Sequence, residues 1–201
     1  MKKTEFKLPE NGRKLYGVMI EPEGEGKFPT IIFSHGYNGS GWDFLWLGEY
    51  LAKQGVAALC FDFCGGSVNS RSSMATTDMT IFTEKEDLHS VIQFVKESRA
   101  VDEKNIFLFG GSQGGLVSAL AAEEAKDDVR GLLLLFPAMC IADDWNKRFP
   151  KENDIPEVQE FWGMNLGKKF FATLRGFDVY QQIGGYGRSV RVIYGEDDPI
   201  V

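Results

Sequence analysis

The stretch NIFLFGGSQGGLVSALAAEEA, residues 105–125, runs from an apolar strand-like segment into small and apolar residues that favour a helix. Between the two lies GGSQG at 110–114, which fits the pattern G-x-S-x-G. A serine in a sharp strand-to-helix turn has a strained backbone, and the flanking glycines leave room for neighbouring chain. The turn also places Ser112 at a helix N-terminus, where free N–H groups favour developing negative charge. The strand and the helix around the pattern therefore predict that Ser112 is a nucleophile.

Further apolar runs on both sides of this turn predict more strands. Three apolar runs are typical of buried strands: TIIFS (30–34), VAALCF (56–61) and GLLLLF (131–136). A further strand is predicted at SVRVIY (189–194). Apolar residues at helical spacing predict helices over 42–53 and 83–99, the second with a capping box from Thr83 to Glu86. Strands that alternate with helices predict an α/β fold with a mostly parallel, doubly wound sheet.

Residues 137–187 break this alternation. They mix aromatic side chains with charges and prolines, and they contain no strand-like run. We interpret them as an inserted helical lid, which leaves 1–136 and 188–201 as the α/β core. Trp145 and Trp162 of the insertion are predicted walls of an apolar pocket, although packing of a lid onto the core would equally explain them.

Composition and charge exclude several classes of protein. The 201 residues include 22 Lys and Arg against 29 Asp and Glu, for a net charge of −7, so no nucleic-acid partner is expected. Neither a signal peptide nor an apolar run long enough for a membrane is present, which predicts a cytoplasmic protein with no membrane partner. Two histidines without metal-ligand spacing predict no metal, and without a dinucleotide pattern we expect no cofactor. The sequence leaves open whether the protein forms a homo-oligomer.

A second loop is predicted to assist the serine. His35-Gly36-Tyr37 follows the strand at 30–34, and in this architecture that loop lies beside the turn at Ser112. The backbone N–H groups of Tyr37 and Gln113 are the predicted oxyanion hole. The imidazole of His35 is expected to be structural.

TIIFSHGYNG, FLFGGSQGG and VIYGEDDPIV, in that order, resemble the α/β-hydrolase family, and in particular lidded carboxylesterases of the cinnamoyl or feruloyl esterase type. In such enzymes the catalytic acid follows a strand as G-x-x-D, which implies Asp198, with Asp197 as the competing candidate. The resemblance implies a serine hydrolase that cleaves small-molecule carboxylic esters through an acyl-enzyme. Thioesters, lactones and peptides stay open as substrates, because the same turn serves all of them.

The catalytic base is the missing part of this prediction. In this fold the order is Ser, Asp, His, yet no histidine follows Asp198. His89 precedes the nucleophile on a predicted helix, and His35 lies in the oxyanion loop, so neither is expected to be the base. We therefore expect a hydrolase truncated before its histidine, with the C-terminal part of the sheet missing. The alternative is a catalytically inactive, hydrolase-like binding or assembly module.

Overall fold

The chain folds into strands and helices in the computed structural model, which describes residues 1–10 and 12–201. The strands are β1 (Lys2–Glu10), β2 (Arg13–Glu21), β3 (Phe28–Ser34), β4 (Ala57–Asp62), β5 (Val101–Gly111), β6 (Val129–Leu135), β7 (Val158–Phe161), β8 (Met164–Gly167) and β9 (Ser189–Ile193). The helices are α1 (Leu45–Lys53), α2 (Ile81–Glu97), α3 (Gln113–Glu124), α4 (Ile141–Arg148), α5 (Lys168–Thr173) and α6 (Val179–Gln182).

Seven strands form the central sheet of the described residues, in the order β1-β2-β4-β3-β5-β6-β9. Strands β4, β3, β5, β6 and β9 are parallel, whereas β1 and β2 add to the sheet antiparallel. The predicted α/β fold with a mostly parallel sheet is confirmed. The register pairs Ser34 with Gly110, so the loops that follow β3 and β5 emerge side by side at the carboxyl edge of the sheet.

Helix α2 begins two residues earlier than predicted. Its N-cap is Thr80, whose hydroxyl accepts the Thr83 N–H at 3.1 Å, while the Thr83 hydroxyl accepts the Thr80 N–H at 2.9 Å. The predicted box from Thr83 to Glu86 is therefore wrong. The capping box instead joins Thr80 to Thr83, and Thr83 is the third residue of the helix, not its N-cap.

The main core lies between the sheet and the helices α2 and α3, and a smaller apolar cluster lies under α1. Strand β9 is an edge strand of the described sheet, and all five of its residues are exposed. Val192 and Ile193 there are about half exposed, at 51% and 53%. No described helix is long and apolar enough to cross a membrane.

The segment 137–187 is only partly helical, which corrects the prediction of a helical lid. It contains α4, α5 and α6, but β7 and β8 between them form an antiparallel hairpin. Trp162 and Gly163 close the hairpin with positive φ angles of 43° and 78°, and Glu160 Oε1 accepts the Gly163 N–H at 2.7 Å. Such a two-residue turn needs left-handed backbone at both positions. Each strand has only four residues, so the alternation of apolar and polar side chains is too short to predict a strand from the sequence.

Candidate active site

Ser112 occupies the strained turn between β5 and α3. Its backbone angles are φ 50° and ψ −122°, and it is the N-cap of α3. The Ser112 N–H donates to Leu135 O at 3.0 Å, and Ser112 O accepts from Ala138 N at 3.0 Å. These bonds to the end of β6 and the segment after it hold a conformation that few non-glycine residues adopt.

The glycines around Ser112 are required by close backbone approach. A Cβ on Gly110 would lie 2.3 Å from Gly114 O. A Cβ on Gly114 would lie 2.3 Å from His35 O and 2.4 Å from Ser34 O. The turn and the loop after β3 thus contact each other with no space for a side chain.

The loop after β3 lies directly against the candidate nucleophile. A Cβ on Gly36 would come within 3.2 Å of the Ser112 Cβ. Tyr37, Gln113 and Ser112 line one cavity, so the structure brings the two predicted oxyanion-hole residues to the predicted nucleophile.

Both ring nitrogens of His35 are hydrogen-bonded, one within this loop and one to the segment that follows β4. Its Nε2 accepts the Phe63 N–H at 3.0 Å, and its Nδ1 lies 2.8 Å from Gly36 O. The pairing assigns the proton to Nδ1, which then donates to Gly36 O. The ring is 1% exposed, and this burial lowers the pKa of His35, so the imidazole is neutral. His35 therefore holds the loop and has no free nitrogen for Ser112.

His89 lies on α2, where its Nε2 is 2.8 Å from Glu124 Oε2 on α3. Of the histidines in the described residues, neither lines the cavity at Ser112. That neither histidine is the base stays a prediction.

Asp198 lies in the turn after β9 and is partly buried. Its Oδ1 accepts the N–H groups of Ile200 at 2.9 Å and Val201 at 3.3 Å. Pro199, Ile200 and Val201 line the same cavity as Ser112, so this turn lies beside the candidate nucleophile. Asp197 is exposed. Backbone N–H groups therefore hold the Asp198 carboxylate, and its role as the acid stays a prediction.

The cavity has a volume of about 350 Å³, and the aromatic residues that line it are Tyr37, Trp145, Phe161, Trp162 and Phe170. Both predicted wall residues line it, but in different ways. Trp145 is 9% exposed and packs edge-on against Phe161, with ring centroids 5.0 Å apart. Trp162 is 59% exposed and stacks on Phe161 at 4.4 Å.

Two charged residues of α4, Asp144 and Arg148, also line the cavity and were not predicted. The Arg148 guanidinium lies 5.4 Å from the centre of the Trp145 ring. Asp144 and Arg148 are four residues apart, which places them on the same face of a helix. In the sequence, only this spacing and the neighbouring Trp145 indicate that they line the cavity.

A buried carboxyl group behind the turn was also missed. Glu84 on α2 is 1% exposed, and its Oε2 accepts the side-chain N–H of Gln113 at 2.9 Å. Burial raises the pKa of Glu84 to about 8, with a further contribution from the charge of Asp87. In the sequence Glu84 stands among Lys85, Glu86 and Asp87, a run that is typical of a solvated helix face.

Glu84→Gln is expected to change how stability depends on pH. The pKa of Glu84 lies above that of a free glutamate in the folded state, about 8 against 4.5, so the unfolded chain loses this proton first. The contribution of Glu84 to wild-type stability therefore falls as pH rises from about 4.5 to about 8. The variant lacks that loss, and we expect its free energy of unfolding relative to wild type to rise by about 2 kcal/mol or more between pH 5 and pH 8.

Urea unfolding followed by circular dichroism at pH 5, 6.5 and 8 measures this difference. Glu25→Gln, at an exposed position, is the matched control and should run parallel to wild type. Parallel profiles for Glu84→Gln and wild type would contradict the assignment of a raised pKa to Glu84.

A parallel sheet of this order, with a serine in a strained turn at its carboxyl edge, defines the class of α/β hydrolases. The Hydrolase_4 family, described as serine aminopeptidase, S33, matches residues 27–175, and the chain belongs to this family.

The chain is also similar to individual proteins. It is 25% identical over 160 residues, 79% of its length, to Esterase FrsA of Escherichia fergusonii, and 32% identical over 129 residues, 62% of its length, to an uncharacterized 31.7 kDa protein of Escherichia coli. The solved structure of Est1E from Butyrivibrio proteoclasticus with ferulic acid bound superposes with a TM-score of 0.88 at 25% identity, over 98% of this chain and 80% of that one. The matches span only 36% of FrsA and 42% of the Escherichia coli protein.

Proposed function

We propose that the chain supplies the nucleophile, the oxyanion hole and the acid of an esterase that acts through an acyl-enzyme. The observation that carries the proposal is Ser112 in a strained turn, at a helix N-terminus, facing an apolar cavity beside the loop of Tyr37. Membership of a hydrolase family and likeness to esterases support the coarser assignment.

The proposed reaction begins when Ser112 Oγ attacks the carbonyl carbon of the ester. The carbonyl oxygen becomes an oxyanion, which accepts hydrogen bonds from the N–H groups of Tyr37 and Gln113. Each such donor contributes about 3 kcal/mol to stabilisation of the transition state. The C–O bond to the alcohol then breaks, the alcohol leaves with the proton that Ser112 lost, and water hydrolyses the acyl-enzyme.

A base must take the proton from Ser112, and we propose that it is a histidine outside residues 1–201. The reason is chemical, because His35 has both ring nitrogens bonded and His89 pairs with Glu124. In the proposal Asp198 orients that histidine, as the backbone bonds to its Oδ1 already fix the carboxylate. Expression of the full-length product of the gene and assay with p-nitrophenyl acetate tests this, since absence of turnover would contradict it.

The proposed substrate is a small ester with an apolar or aryl acyl group. Trp145 and Trp162 line the cavity next to Ser112, and flat apolar groups pack well against such walls. The likeness to a structure that holds ferulic acid supports this class. Methyl ferulate and p-nitrophenyl acetate are suitable test substrates, one with an aryl acyl group and one with a minimal acyl group.

Asp198→Asn is expected to lower kcat of the full-length product by about 10³- to 10⁴-fold, because an amide no longer favours the charged, correctly oriented imidazole. Asp197→Asn is the matched control, since Asp197 is the exposed neighbour, and it should stay within about threefold of wild type. Steady-state kinetics with p-nitrophenyl acetate separates the two. A large loss for Asp197→Asn alone would transfer the role to Asp197.

The second candidate function is an inactive binding module. The observation that favours it is that neither described histidine is free to activate Ser112. This candidate predicts that the full-length product binds ferulate without turning over any ester.

A further inference from the structure

Tyr37 connects the loop after β3 to the β7–β8 hairpin. Its hydroxyl donates to Phe161 O at 2.8 Å and lies 3.4 Å from Met164 O, so it contacts both sides of the hairpin turn. Its ring also packs edge-on against Phe161, with centroids 5.5 Å apart. Burial raises the pKa of the Tyr37 hydroxyl, and the charge of Glu160 adds to this, so the group stays a donor across the usual assay range.

Asn38, the next residue, makes a second connection to the same turn. Its Nδ2 donates to Trp162 O at 3.2 Å, while its Oδ1 accepts the Val68 N–H at 3.0 Å. Its φ of 53° turns the loop so that the two neighbouring side chains reach the hairpin together. Three backbone carbonyls of the turn therefore face donors from one loop.

The hairpin depends on such contacts because it is too short to be stable by itself. Each of its strands has four residues, and a lone two-stranded hairpin is at best marginally stable in water. Phe161 and Trp162 sit at its turn and line the cavity beside Ser112. The position of the turn therefore determines one wall of the cavity.

We propose that Tyr37 is a positioning residue whose side chain fixes the β7–β8 hairpin over the cavity and thereby sets the preference for aryl over small acyl groups. This role is separate from the backbone N–H of Tyr37, and its catalytic consequence rests on the proposed function. An aryl acyl group reaches the wall of Phe161 and Trp162, whereas an acetyl group is too small to need it.

Tyr37→Phe tests the proposal, because it removes the hydroxyl and keeps the ring and the backbone. Hydrogen–deuterium exchange followed by mass spectrometry should show exchange about tenfold faster in peptides covering 158–167, with the core strands unchanged. The dissociation constant of ferulate, measured by tryptophan fluorescence, should rise about fivefold. In the full-length product, kcat/KM for methyl ferulate relative to p-nitrophenyl acetate should fall about fivefold.

Two further variants make the test specific. Tyr50→Phe, at an exposed helix position, is the matched control and should leave the exchange and the ferulate affinity at their wild-type values. Asn38→Gly keeps a residue that tolerates positive φ and removes the bond to Trp162 O, so it should also speed exchange in the hairpin. If Tyr37→Phe does not fold, Asn38→Gly tests the positioning of the hairpin in its place.

The outcomes separate this inference from the proposed function. Unchanged hairpin exchange in Tyr37→Phe overturns the inference, even if Ser112 hydrolyses esters. Faster exchange with unchanged ferulate affinity overturns the link to specificity. Faster exchange and weaker ferulate binding, in a full-length product that turns over no ester, support the positioning role and contradict the proposed esterase.

Discussion

Ser112→Ala is expected to lower kcat of the full-length product by at least about 10⁴-fold, because no other group at the turn forms the acyl-enzyme. Removal of the hydroxyl leaves the oxyanion-hole N–H groups and the cavity in place, so binding should change little. The KM for methyl ferulate, where turnover is still measurable, or the affinity for ferulate should stay within about threefold. Burst and steady-state kinetics with p-nitrophenyl acetate measure the loss.

Ser118→Ala is the matched control for this variant. Ser118 lies on the same helix and is fully buried, and its hydroxyl oxygen has no hydrogen-bond partner in the described structure. The same substitution there should leave the rate unchanged. Full turnover by Ser112→Ala would contradict the assignment of the nucleophile.

Gly114→Ala is expected to lower the free energy of unfolding by about 3 kcal/mol. The new Cβ would lie 2.3 Å from His35 O and 2.4 Å from Ser34 O, and backbone cannot yield as a side chain would. Overpacking of this kind costs about 1–3 kcal/mol or more, which exceeds the gain of about 1 kcal/mol from alanine in a helix. A backbone shift that removes this clash would move the loop that carries Tyr37, so ester turnover should fall as well.

Urea unfolding of Gly114→Ala beside Gly187→Ala measures this effect. Apart from Gly187 itself and its two chain neighbours, no residue has a heavy atom within 4 Å of a Cβ built there, so that variant should differ from wild type by less than about 0.5 kcal/mol. Equal stability of Gly114→Ala and wild type would show that the turn has more room than the structure gives it.

The turn at Ser112 and the parallel sheet could be predicted because their signals are local. The run at 105–109, the glycines around Ser112 and the small-residue helix after them are contiguous, and together they admit one geometry. The register of β3 against β5 then brings Tyr37 to Ser112 without further information. The predicted family and the predicted mostly parallel α/β fold are confirmed.

What could not be predicted depends on contacts between distant segments. The β7–β8 hairpin is fixed by Tyr37 and Asn38, more than 120 positions earlier in the chain, and its own four-residue strands carry little pattern. Glu84 is buried only because α2 packs beside the turn at Gln113. Neither the burial of Glu84 nor hydrogen bonds between residues so far apart in the chain produce a pattern in the local sequence.

The sequence alone also could not distinguish Asp198 from Asp197 as the catalytic acid. Both stand in one acidic turn, and only the backbone geometry, with two N–H groups directed at one carboxylate, distinguishes them. The roles of Ser112, Tyr37, Gln113 and Asp198 in catalysis stay predictions until they are measured.

Covalent labelling shows whether Ser112 is an activated nucleophile. The full-length product is treated with a fluorophosphonate, digested, and mapped by mass spectrometry, with heat-denatured protein and Ser112→Ala as controls. We expect one adduct per chain, on the peptide that contains Ser112, and none in either control. An unlabelled Ser112 in the folded full-length product, or an adduct on another residue, would contradict it.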